Sequence, residues 1–365
     1  MAMPDTEGTG TAVHHDFGVY VHIPFCAKRC DYCAFATWTD RDPLIDAYVS
    51  ALIDDIGRHV DAGMPIADTV FVGGGTPTHV PAARLAEVLA AIPRVAGAEM
   101  TIECNPDDVT PLMMNVYAEA GVNRISIGVQ SMVDHVLRSL GRTHVPANVS
   151  RAVAAVRSAG IDNFNLDLIY GASGESLDDW RATIEGAIAL DPTHISAYAL
   201  TVEAGTPLAL EPERFPDDDD LADKYELADE ALTAAGLGNY EVSNWSRPGA
   251  ECRHNLVYWH QGDYQSFGCA GHSHRHGRRF WNVRTPERYI DLVRRGESVE
   301  AAGESLDPEA RRIEGLQLQL RLREGVEQRA LDGEELPGLV ELHDDRWTLT
   351  RRGRLLANEV ALRLR

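Results

Sequence analysis

The sequence predicts an α/β fold that contains a parallel sheet and ends in a smaller, mainly helical part. Six segments between Gly18 and Thr201 are short, mostly apolar and rich in β-branched residues, and they alternate with helical patterns. Such strands are typical of a parallel sheet that is covered on both faces. Repeated βα units form a parallel sheet either as a doubly wound layer or as a barrel, and the pattern alone leaves both open.

The first part of the chain supplies the six strands. They are predicted at residues 19–23, 69–72, 100–103, 124–129, 164–169 and 194–200. In the helix after the third strand, Thr110 is the expected N-cap, Pro111 takes the first helical position and Gly121 follows the last turn. In either parallel architecture, the loops at the carboxyl ends of the strands carry the function.

The last part of the chain follows a different pattern, in which helices predominate. Its predicted elements are an acidic, solvated turn at 217–220, a helix at 221–236, an extended segment at 240–245, helices at 286–294 and 308–322, a strand at 347–350 and a helix-like segment at 351–364. The end of the chain is therefore predicted to be an α-rich, winged-helix-like appendage. Some winged helices bind DNA, but others serve in packing or protein contact.

Length and composition limit the domain organisation. The chain has 365 residues, of which 44% are hydrophobic, so there is room for two domains or for one large barrel with an appendage. We predict a disordered lead-in at 1–16, a core domain at 17–245 and a C-terminal domain at 246–365. No stretch approaches the eighteen or so consecutive apolar residues of a membrane helix, and the start lacks a signal-peptide pattern. We therefore expect a cytoplasmic protein.

The charge of the chain argues against some classes of partner. Its 34 basic and 56 acidic residues give a net charge of -22. Such an excess of acid disfavours binding to the phosphates of nucleic acid or to an anionic membrane surface. We therefore expect no nucleic-acid partner, and the appendage is expected to pack or to contact protein.

Three cysteines follow the first strand closely, in the segment Cys26-Ala-Lys-Arg-Cys30-Asp-Tyr-Cys33. Structural zinc usually takes four protein ligands, and the chain has no second cysteine pair. A cube of four irons bound by three cysteines keeps one iron free for an outside ligand. The alternatives are buried thiols or a disulfide, and a disulfide is not expected without export. The scattered cysteines are expected to be packed small residues; they are Cys104, Cys252 and Cys269.

Further motifs lie at the ends of the other strands. Residues 73–77 read Gly-Gly-Gly-Thr-Pro, and consecutive glycines let a backbone approach a ligand closely, although such a run can also be a tight turn. Glu103, Gln130 and Asp167 close later strands, and Arg142 follows the helix after the fourth. If buried, these polar groups need partners, either in a salt-bridge network inside a barrel or in a ligand.

Taken together, the motifs resemble those of the radical S-adenosylmethionine (SAM) superfamily. The cysteine spacing matches its signature, and the branch with oxygen-independent coproporphyrinogen III oxidase and the HemW heme chaperones is similar at residues 20–26, 73–78 and 123–131. The resemblance implies a partial (β/α)6 barrel with a [4Fe-4S] cluster on Cys26, Cys30 and Cys33. The SAM contacts that it implies are Tyr20, Tyr32, Gly74, Gly75, Thr76, Glu103, Gln130, Arg142 and Asp167.

Two features resemble the chaperones more than the oxidase. Phe35 stands where the oxidase carries a further cysteine, and only a short segment precedes the first strand. The segment from His254 to Trp259 also looks like the chaperone motif H-N-x-x-Y-W. The heme contacts implied are His254, Asn255, Tyr258 and Trp259. The segment could instead be an ordinary aromatic cluster between the barrel and the appendage.

Other side chains near this motif could also ligate iron; they are Cys252, His260, Cys269, His272, His274 and His276. For His274 and His276 we favour an exposed loop without a functional ligand. His272 and Cys269 lie in a segment that resembles the family, and they carry more weight as candidates.

The resemblance implies a heme chaperone that binds heme and delivers it to a respiratory-chain or membrane protein. The SAM-liganded cluster would support heme binding, dimerisation to a homodimer, or release. The alternative is an enzyme that cleaves SAM reductively and decarboxylates coproporphyrinogen III to protoporphyrinogen IX. A third interpretation is a radical SAM enzyme that acts on an unrelated substrate.

Overall fold

The computed structural model describes residues 16–365, so the predicted lead-in at 1–16, apart from Asp16, lies outside the described residues. All six predicted strands are present. The elements of the first part are β1 (Gly18–Ile23), α1 (Ile45–Asp61), β2 (Ala67–Gly74), α2 (Ala82–Ala91), β3 (Arg94–Cys104), α3 (Pro111–Glu119), β4 (Arg124–Gln130), α4 (Asp134–Ser139), α5 (Pro146–Ser158), β5 (Asn163–Tyr170), α6 (Leu177–Ala189), β6 (His194–Ala199) and α7 (Asp218–Ala234).

The end signals predicted for α3 are confirmed. The Thr110 hydroxyl accepts a hydrogen bond from the Met113 N–H, Pro111 is the first helical residue, and Gly121 has a φ of 92° just after the helix. The prediction of a turn at 217–220 before a helix at 221 is wrong, because α7 already begins at Asp218. Asp217 caps the helix, and the following aspartates form its first turn. Their negative charges interact favourably with the positive end of the helix dipole.

The six strands form an open barrel wall. β1 to β6 lie side by side in sequence order, and each neighbouring pair is parallel. A doubly wound sheet would instead reverse its strand order at a switch point. β1 and β6 do not pair with each other, because each pairs with a strand from later in the chain. The predicted partial (β/α)6 barrel is thus confirmed.

The sheet continues beyond both edges of this wall. The elements that extend or flank it are β7 (Gly238–Glu241), β8 (Asn244–Ser246), α8 (Arg253–Trp259), β9 (Tyr264–Phe267), β10 (His272–Arg275), β11 (Arg278–Asn282), α9 (Pro286–Arg294) and β12 (Glu300–Ser305). β8 pairs antiparallel with β6, and β9 pairs parallel with β1. The predicted domain boundary after residue 245 falls inside this twelve-stranded sheet, and the division into domains stays a prediction.

The two faces of the barrel wall differ in polarity. On the outer face, apolar residues such as Ile125 and Leu166 join one core cluster beneath the helices. The inner face carries buried polar side chains that bond to one another. Ser126 Oγ donates to Asp167 Oδ2 at 2.6 Å, and His194 Nδ1 lies 2.7 Å from Asn165 Oδ1. Since buried polar groups need partners, this network keeps the interior of the barrel both polar and ordered.

The end of the chain forms a small unit with its own apolar core. Its elements are α10 (Pro308–Gln319), β13 (Val326–Glu327), β14 (Val340–His343), β15 (Arg346–Leu349), α11 (Arg351–Leu355) and α12 (Ala357–Ala361). The three strands form an antiparallel sheet, and the helix-like segment predicted at 351–364 is two short helices. The unit docks on α7, where the buried Asp229 accepts hydrogen bonds from Arg351 at 2.6 Å and from Arg354 at 2.9 Å.

Among residues 16–365, none of the helices combines the length and the apolar character that crossing a bilayer requires.

Candidate functional site

The loops at the carboxyl ends of β1 to β6 surround one cavity of about 490 Å³. With the exception of Tyr20, every residue predicted to contact the cluster or SAM lines this cavity. They are Cys26, Cys30, Tyr32, Cys33, Gly74, Gly75, Thr76, Glu103, Gln130, Arg142 and Asp167. The parallel strands bring these distant residues together because all six carboxyl ends meet at the same side of the barrel.

The three predicted cluster ligands lie on the loop between β1 and α1. Cys26 is buried, Cys30 and Cys33 are partly exposed, and all three thiols are unpaired. Hydrogen bonds to backbone carbonyls shape the loop: the Cys33 N–H donates to the Cys30 carbonyl at 3.2 Å, and the Arg29 guanidinium donates to the Cys33 carbonyl at 3.0 Å. Among residues 16–365, these three cysteines form no disulfide.

The three thiols line one cavity without converging on a single point. Burial raises the pKa of Cys26 to about 11, and it also raises the pKa of Cys33. Within residues 16–365, no three side chains of His, Cys, Asp or Glu converge closely enough to hold one metal ion. In a cube each thiolate binds a different iron, so three thiols around one cavity need not meet at a point.

Gly75 lies against the cysteine loop with no room for a side chain. A Cβ atom at this residue would lie 2.8 Å from the carbonyl oxygens of Ile23 and Phe25 and 3.0 Å from Cys26 Sγ. The Gly75 N–H itself donates to the Ile23 carbonyl at 2.7 Å. A glycine at this position thus allows the glycine loop to approach the cysteine loop closely. The glycine run is therefore both a tight turn and part of the cavity wall.

Two buried carboxyl groups, Glu103 and Asp167, face the cavity from β3 and β5. Burial, together with the neighbouring Asp167, raises the pKa of Glu103 to about 8, although the Gly74 N–H donates to Glu103 Oε2 at 3.1 Å. Burial also raises the pKa of Asp167, against the bonds it accepts from Ser126 and Asn165. Near neutral pH Glu103 can therefore hold a proton or give it up to a ligand.

Gln130 ends β4, between the strands that carry Glu103 and Asp167, and Arg142 lies close to the end of the same strand. Gln130 has a φ of 64° at a bulge that ends β4, a conformation that costs a non-glycine residue energy and is often found at functional sites. Arg142 donates to the Gly128 carbonyl at 2.8 Å and to Asn105 Oδ1 at 2.9 Å, and its Nη1 lies 3.6 Å from Cys30 Sγ. The alternative pairing of Arg142 with Glu103 or Asp167 is wrong.

Asn105 is a cavity residue that the sequence interpretation did not single out. It follows Glu103 and Cys104 at the end of β3, and its side-chain oxygen orients Arg142. Its place directly after a strand that ends in a carboxylate was the available signal. Tyr32 meets the prediction in location, since it lines the cavity and burial raises its pKa.

A second depression, here called the aromatic groove, adjoins the cavity. It has a volume of about 700 Å³ and shares Ala34 and Phe35 with the cavity. The other residues that line it come from β1 and the loop that follows it, from α8, and from the strands β9 to β12 with their connections. They are Tyr20, His22, Ala36, Tyr258, Tyr264, Ala270, His272, Trp281, Asn282, Arg284 and Ala301. The structure thus places Tyr20 here, apart from the other predicted SAM contacts.

His254 lies deep under this groove, near the amino-terminal ends of the strands. Its Nδ1 is 2.8 Å from Thr69 Oγ1 and its Nε2 is 2.7 Å from the Tyr258 hydroxyl. Burial, together with the charge of Arg124, lowers the pKa of His254 to about 3. In this conformation neither ring nitrogen is free, so ligation of iron would require Thr69 or Tyr258 to release the ring.

Of the four residues predicted to contact heme, only Tyr258 lines the groove. Trp259 packs instead against the C-terminal unit, with the Arg321 guanidinium 4.6 Å from its ring centre. The backbone N–H groups of Arg253 and His254 donate to the buried Glu99 carboxylate at 3.0 Å, which caps α8. Heme contact by His254, Asn255 and Trp259 stays a prediction.

The remaining candidate ligands differ widely in exposure. Cys252 and Cys269 are buried, as expected for packed cysteines. The expectation that His274 is exposed is wrong, because it is buried with Nδ1 2.8 Å from the Gly262 carbonyl oxygen. His276 is exposed, as expected, at a turn with a φ of 51°. His272 is the one histidine of β10 that faces the aromatic groove.

Known proteins resemble this chain over most of its length. Residues 20–187 match the family model of the radical SAM superfamily. The heme chaperone HemW of Mycobacterium tuberculosis (strain ATCC 25618 / H37Rv) is 40% identical, over 94% of this chain and 93% of its own. HemW of Bacillus subtilis (strain 168) is 34% identical, over 93% and 97%, and HemW of Escherichia coli (strain K12) is 40% identical, over 70% and 69%.

Among solved structures, coproporphyrinogen III oxidase (HemN) from Escherichia coli shares the fold, with a TM-score of 0.83 over 95% of this chain and 89% of its own. Its sequence identity is only 20%, so this likeness concerns the fold alone. The relatives at 40% and 34% identity, in contrast, align over nearly the whole of both chains. The chain therefore belongs to the HemW heme chaperone family of the radical SAM superfamily.

Proposed function

We propose that this protein is a heme chaperone, which binds heme and delivers it to acceptor proteins. The observation that carries the proposal is the 40% identity to a heme chaperone of Mycobacterium tuberculosis over 94% of this chain. A groove of about 700 Å³ with aromatic walls supports it, because a porphyrin presents two broad apolar faces. The named relatives say nothing of the acceptor, for which we propose a respiratory or membrane protein.

The cavity next to the groove would hold the family's [4Fe-4S] cluster and SAM. Cys26, Cys30 and Cys33 would ligate three irons as thiolates, which would leave the fourth iron available to SAM. When bound, the cluster and SAM would supply one-electron redox chemistry. The buried thiols must lose their protons on loading, so cluster binding releases protons from Cys26, whose pKa burial raises to about 11.

The remaining cavity residues would bind and orient SAM. Glu103 and Asp167 can accept hydrogen bonds from amino or hydroxyl groups, and a nearby cation would favour the ionised form of Glu103. Arg142 is held by Asn105 and the Gly128 carbonyl, so its guanidinium is already oriented beside Cys30. Because these polar side chains are already held in place, SAM binding would cost less side-chain entropy.

Two further features of the function are proposals as well. Unpaired thiols at all six cysteines fit a reducing compartment, and on this ground we propose that the protein acts in the cytoplasm. A homodimer is proposed as a state that cluster loading or heme binding could favour. Size-exclusion chromatography with light scattering, with and without heme, would measure it.

The second candidate function is oxygen-independent coproporphyrinogen III oxidation. It is favoured by one observation, the shared fold with the Escherichia coli oxidase at a TM-score of 0.83. Against it stands Phe35, which occupies the place where the resemblance expects a further cysteine and which is 66% exposed at the border of the two cavities. The pattern of this loop therefore favours the chaperone.

One experiment separates the two functions. The anaerobically reconstituted protein would be titrated with heme and then incubated with coproporphyrinogen III, SAM and a reductant, and the porphyrins would be separated by chromatography. The chaperone is expected to bind heme stoichiometrically and to form no protoporphyrinogen IX. Formation of protoporphyrinogen IX together with 5′-deoxyadenosine would establish the oxidase, and absence of heme binding would refute the chaperone.

A further inference from the structure

We propose that the aromatic groove is the heme site and that His272 supplies the axial imidazole. This inference rests on the proposed function of a heme chaperone, and it names the site and the ligand for that function. It differs from the expectation drawn from the sequence, which centred on His254.

The imidazoles of His22 and His254 are both engaged within the protein. His22 Nε2 lies 2.9 Å from the Ala36 carbonyl oxygen, and its Nδ1 lies 3.2 Å from the Tyr20 hydroxyl. His254 is held in the same manner by Thr69 and Tyr258. An iron ligand needs a free nitrogen lone pair, so each of these rings would have to break a buried hydrogen bond to bind heme.

His272 has no such commitment. It is the first residue of β10 and is exposed to the groove, and within residues 16–365 its ring makes no hydrogen bond. The ring lies flat beside Trp281, with 5.7 Å between ring centres and an angle of 27° between the planes. Burial lowers the pKa of His272, which keeps the imidazole neutral and able to ligate a metal near neutral pH.

The backbone that leads to His272 is fixed in place. The Ala270 N–H donates to the Val283 carbonyl at 2.8 Å, and the Asn282 N–H donates to the Gly271 carbonyl at 2.9 Å. Gly271 has no room for a side chain, because a Cβ would lie 2.4 Å from Ser266 Oγ. A ligand held on such a rigid turn needs little reorganisation to bind.

The walls of the groove match the chemistry of heme. Tyr258 and Tyr264 present aromatic surfaces on which a flat macrocycle can stack, and Trp281 adds apolar surface while its ring packs against the His272 imidazole. Arg284 is exposed at the same groove, where its guanidinium can pair with the propionate carboxylates of heme. A site with an aromatic lining, one free imidazole and one cation selects for a flat, anionic metalloporphyrin.

The groove also contacts the cysteine loop. Ala34 and Phe35, which directly follow Cys33, line both the groove and the cavity. Phe35 is 66% exposed, and a stacked porphyrin in the groove would cover this apolar side chain. Heme in the groove would thus lie beside the loop that holds the cluster, and either site could affect the other through this segment.

The test is a titration of anaerobically reconstituted protein with ferric heme, followed by absorption and electron paramagnetic resonance spectroscopy. The variants are His272→Ala and His276→Ala, a control on an exposed histidine of the same hairpin, whose side chain is 82% exposed. His272→Ala is expected to lose the spectrum of an imidazole-bound heme and to bind heme at least about tenfold more weakly. Added free imidazole should restore the spectrum. His276→Ala should behave like the unsubstituted protein.

The outcomes separate this inference from the proposed function. If the unsubstituted protein binds no heme, the chaperone proposal itself fails. If it binds heme and His272→Ala retains the same spectrum and affinity, the chaperone stands and the assignment of His272 is refuted. If His272→Ala does not fold, Trp281→Ala serves as the second variant. It should keep the imidazole spectrum but bind heme more weakly, and unchanged affinity would refute the groove.

Discussion

The substitution Gly75→Ala tests the contact between the glycine loop and the cysteine loop. The new methyl group would lie 2.8 Å from two backbone oxygens and 3.0 Å from Cys26 Sγ, distances that side-chain carbons do not tolerate. The oxygens cannot move freely, because they accept hydrogen bonds of 2.7 and 2.8 Å from the N–H groups of Gly75 and Thr76. The loops must therefore separate, and Cys26 must move with them.

The expected loss of stability follows from these contacts. Forcing a methyl group into a packed site costs about 1–3 kcal/mol in the free energy of unfolding. Gly57→Ala is a matched control, because its Cβ would meet nothing within 4 Å and it lies inside α1. There the same change should stabilise the protein by about 0.5–1 kcal/mol, since alanine favours a helix. The free energy of unfolding should thus be lower than that of the unsubstituted protein in Gly75→Ala and higher in Gly57→Ala.

Two assays check the prediction. Urea unfolding of the cluster-free protein measures the free energy of unfolding, and iron per chain after anaerobic reconstitution measures cluster loading. Gly75→Ala should lower both, whereas Gly57→Ala should leave the iron content unchanged. A Gly75→Ala variant with the unfolding free energy and iron content of the unsubstituted protein would refute the reasoning that the close approach matters.

Three further predictions concern other parts of the molecule. The pKa of His254 is about 3 in the folded protein and near 6.5 in the unfolded chain. The unfolded state therefore binds more protons below pH 6.5, and the free energy of unfolding falls as the pH is lowered below that value. Urea unfolding at pH 7.5 and 5.5 should show about 1 kcal/mol less loss on acidification in His254→Gln than in the unsubstituted protein, and an equal loss would contradict the assigned burial. Gln130→Gly should raise the free energy of unfolding by about 1 kcal/mol, because glycine adopts a φ of 64° without strain. The same variant should bind SAM more weakly in calorimetry, and an unchanged SAM affinity would show that Gln130 is not part of the site. Asp229→Asn should loosen the C-terminal unit by about 2 kcal/mol, seen as faster hydrogen exchange in β13 to β15 but not in β1 to β6, and uniform exchange would contradict docking through this carboxylate.

Much of the barrel and its cavity could be predicted from local sequence. The predicted strands coincide with β1 to β6, and the cysteine and glycine loops lie at their carboxyl ends, where repeated βα units put them. Such features depend on short spacings, on side-chain periodicity and on the chemistry of residue types. Gln130, Glu103 and Asp167 could be selected because a polar residue that ends an apolar strand requires a partner.

The location of the histidines could not be obtained in this way. His254 and His272 both stand in segments that resemble the family, and nothing in their spacing indicates that one is buried and the other free. Their difference arises because α8 inserts His254 beside Thr69 and Phe71, whereas β9 pairs with β1 and carries the following strand to the edge of the groove.

The sequence by itself thus determined the parallel α/β class, the cysteine motif and the family, since these reside in short motifs and in local periodicity. The tertiary structure decided that the barrel stays open, that Tyr20 faces the groove and that His272 is the free imidazole. These depend on pairing and burial between segments far apart in the chain. Local patterns do not encode such contacts, because a strand or an imidazole is compatible with many partners until the whole chain has packed.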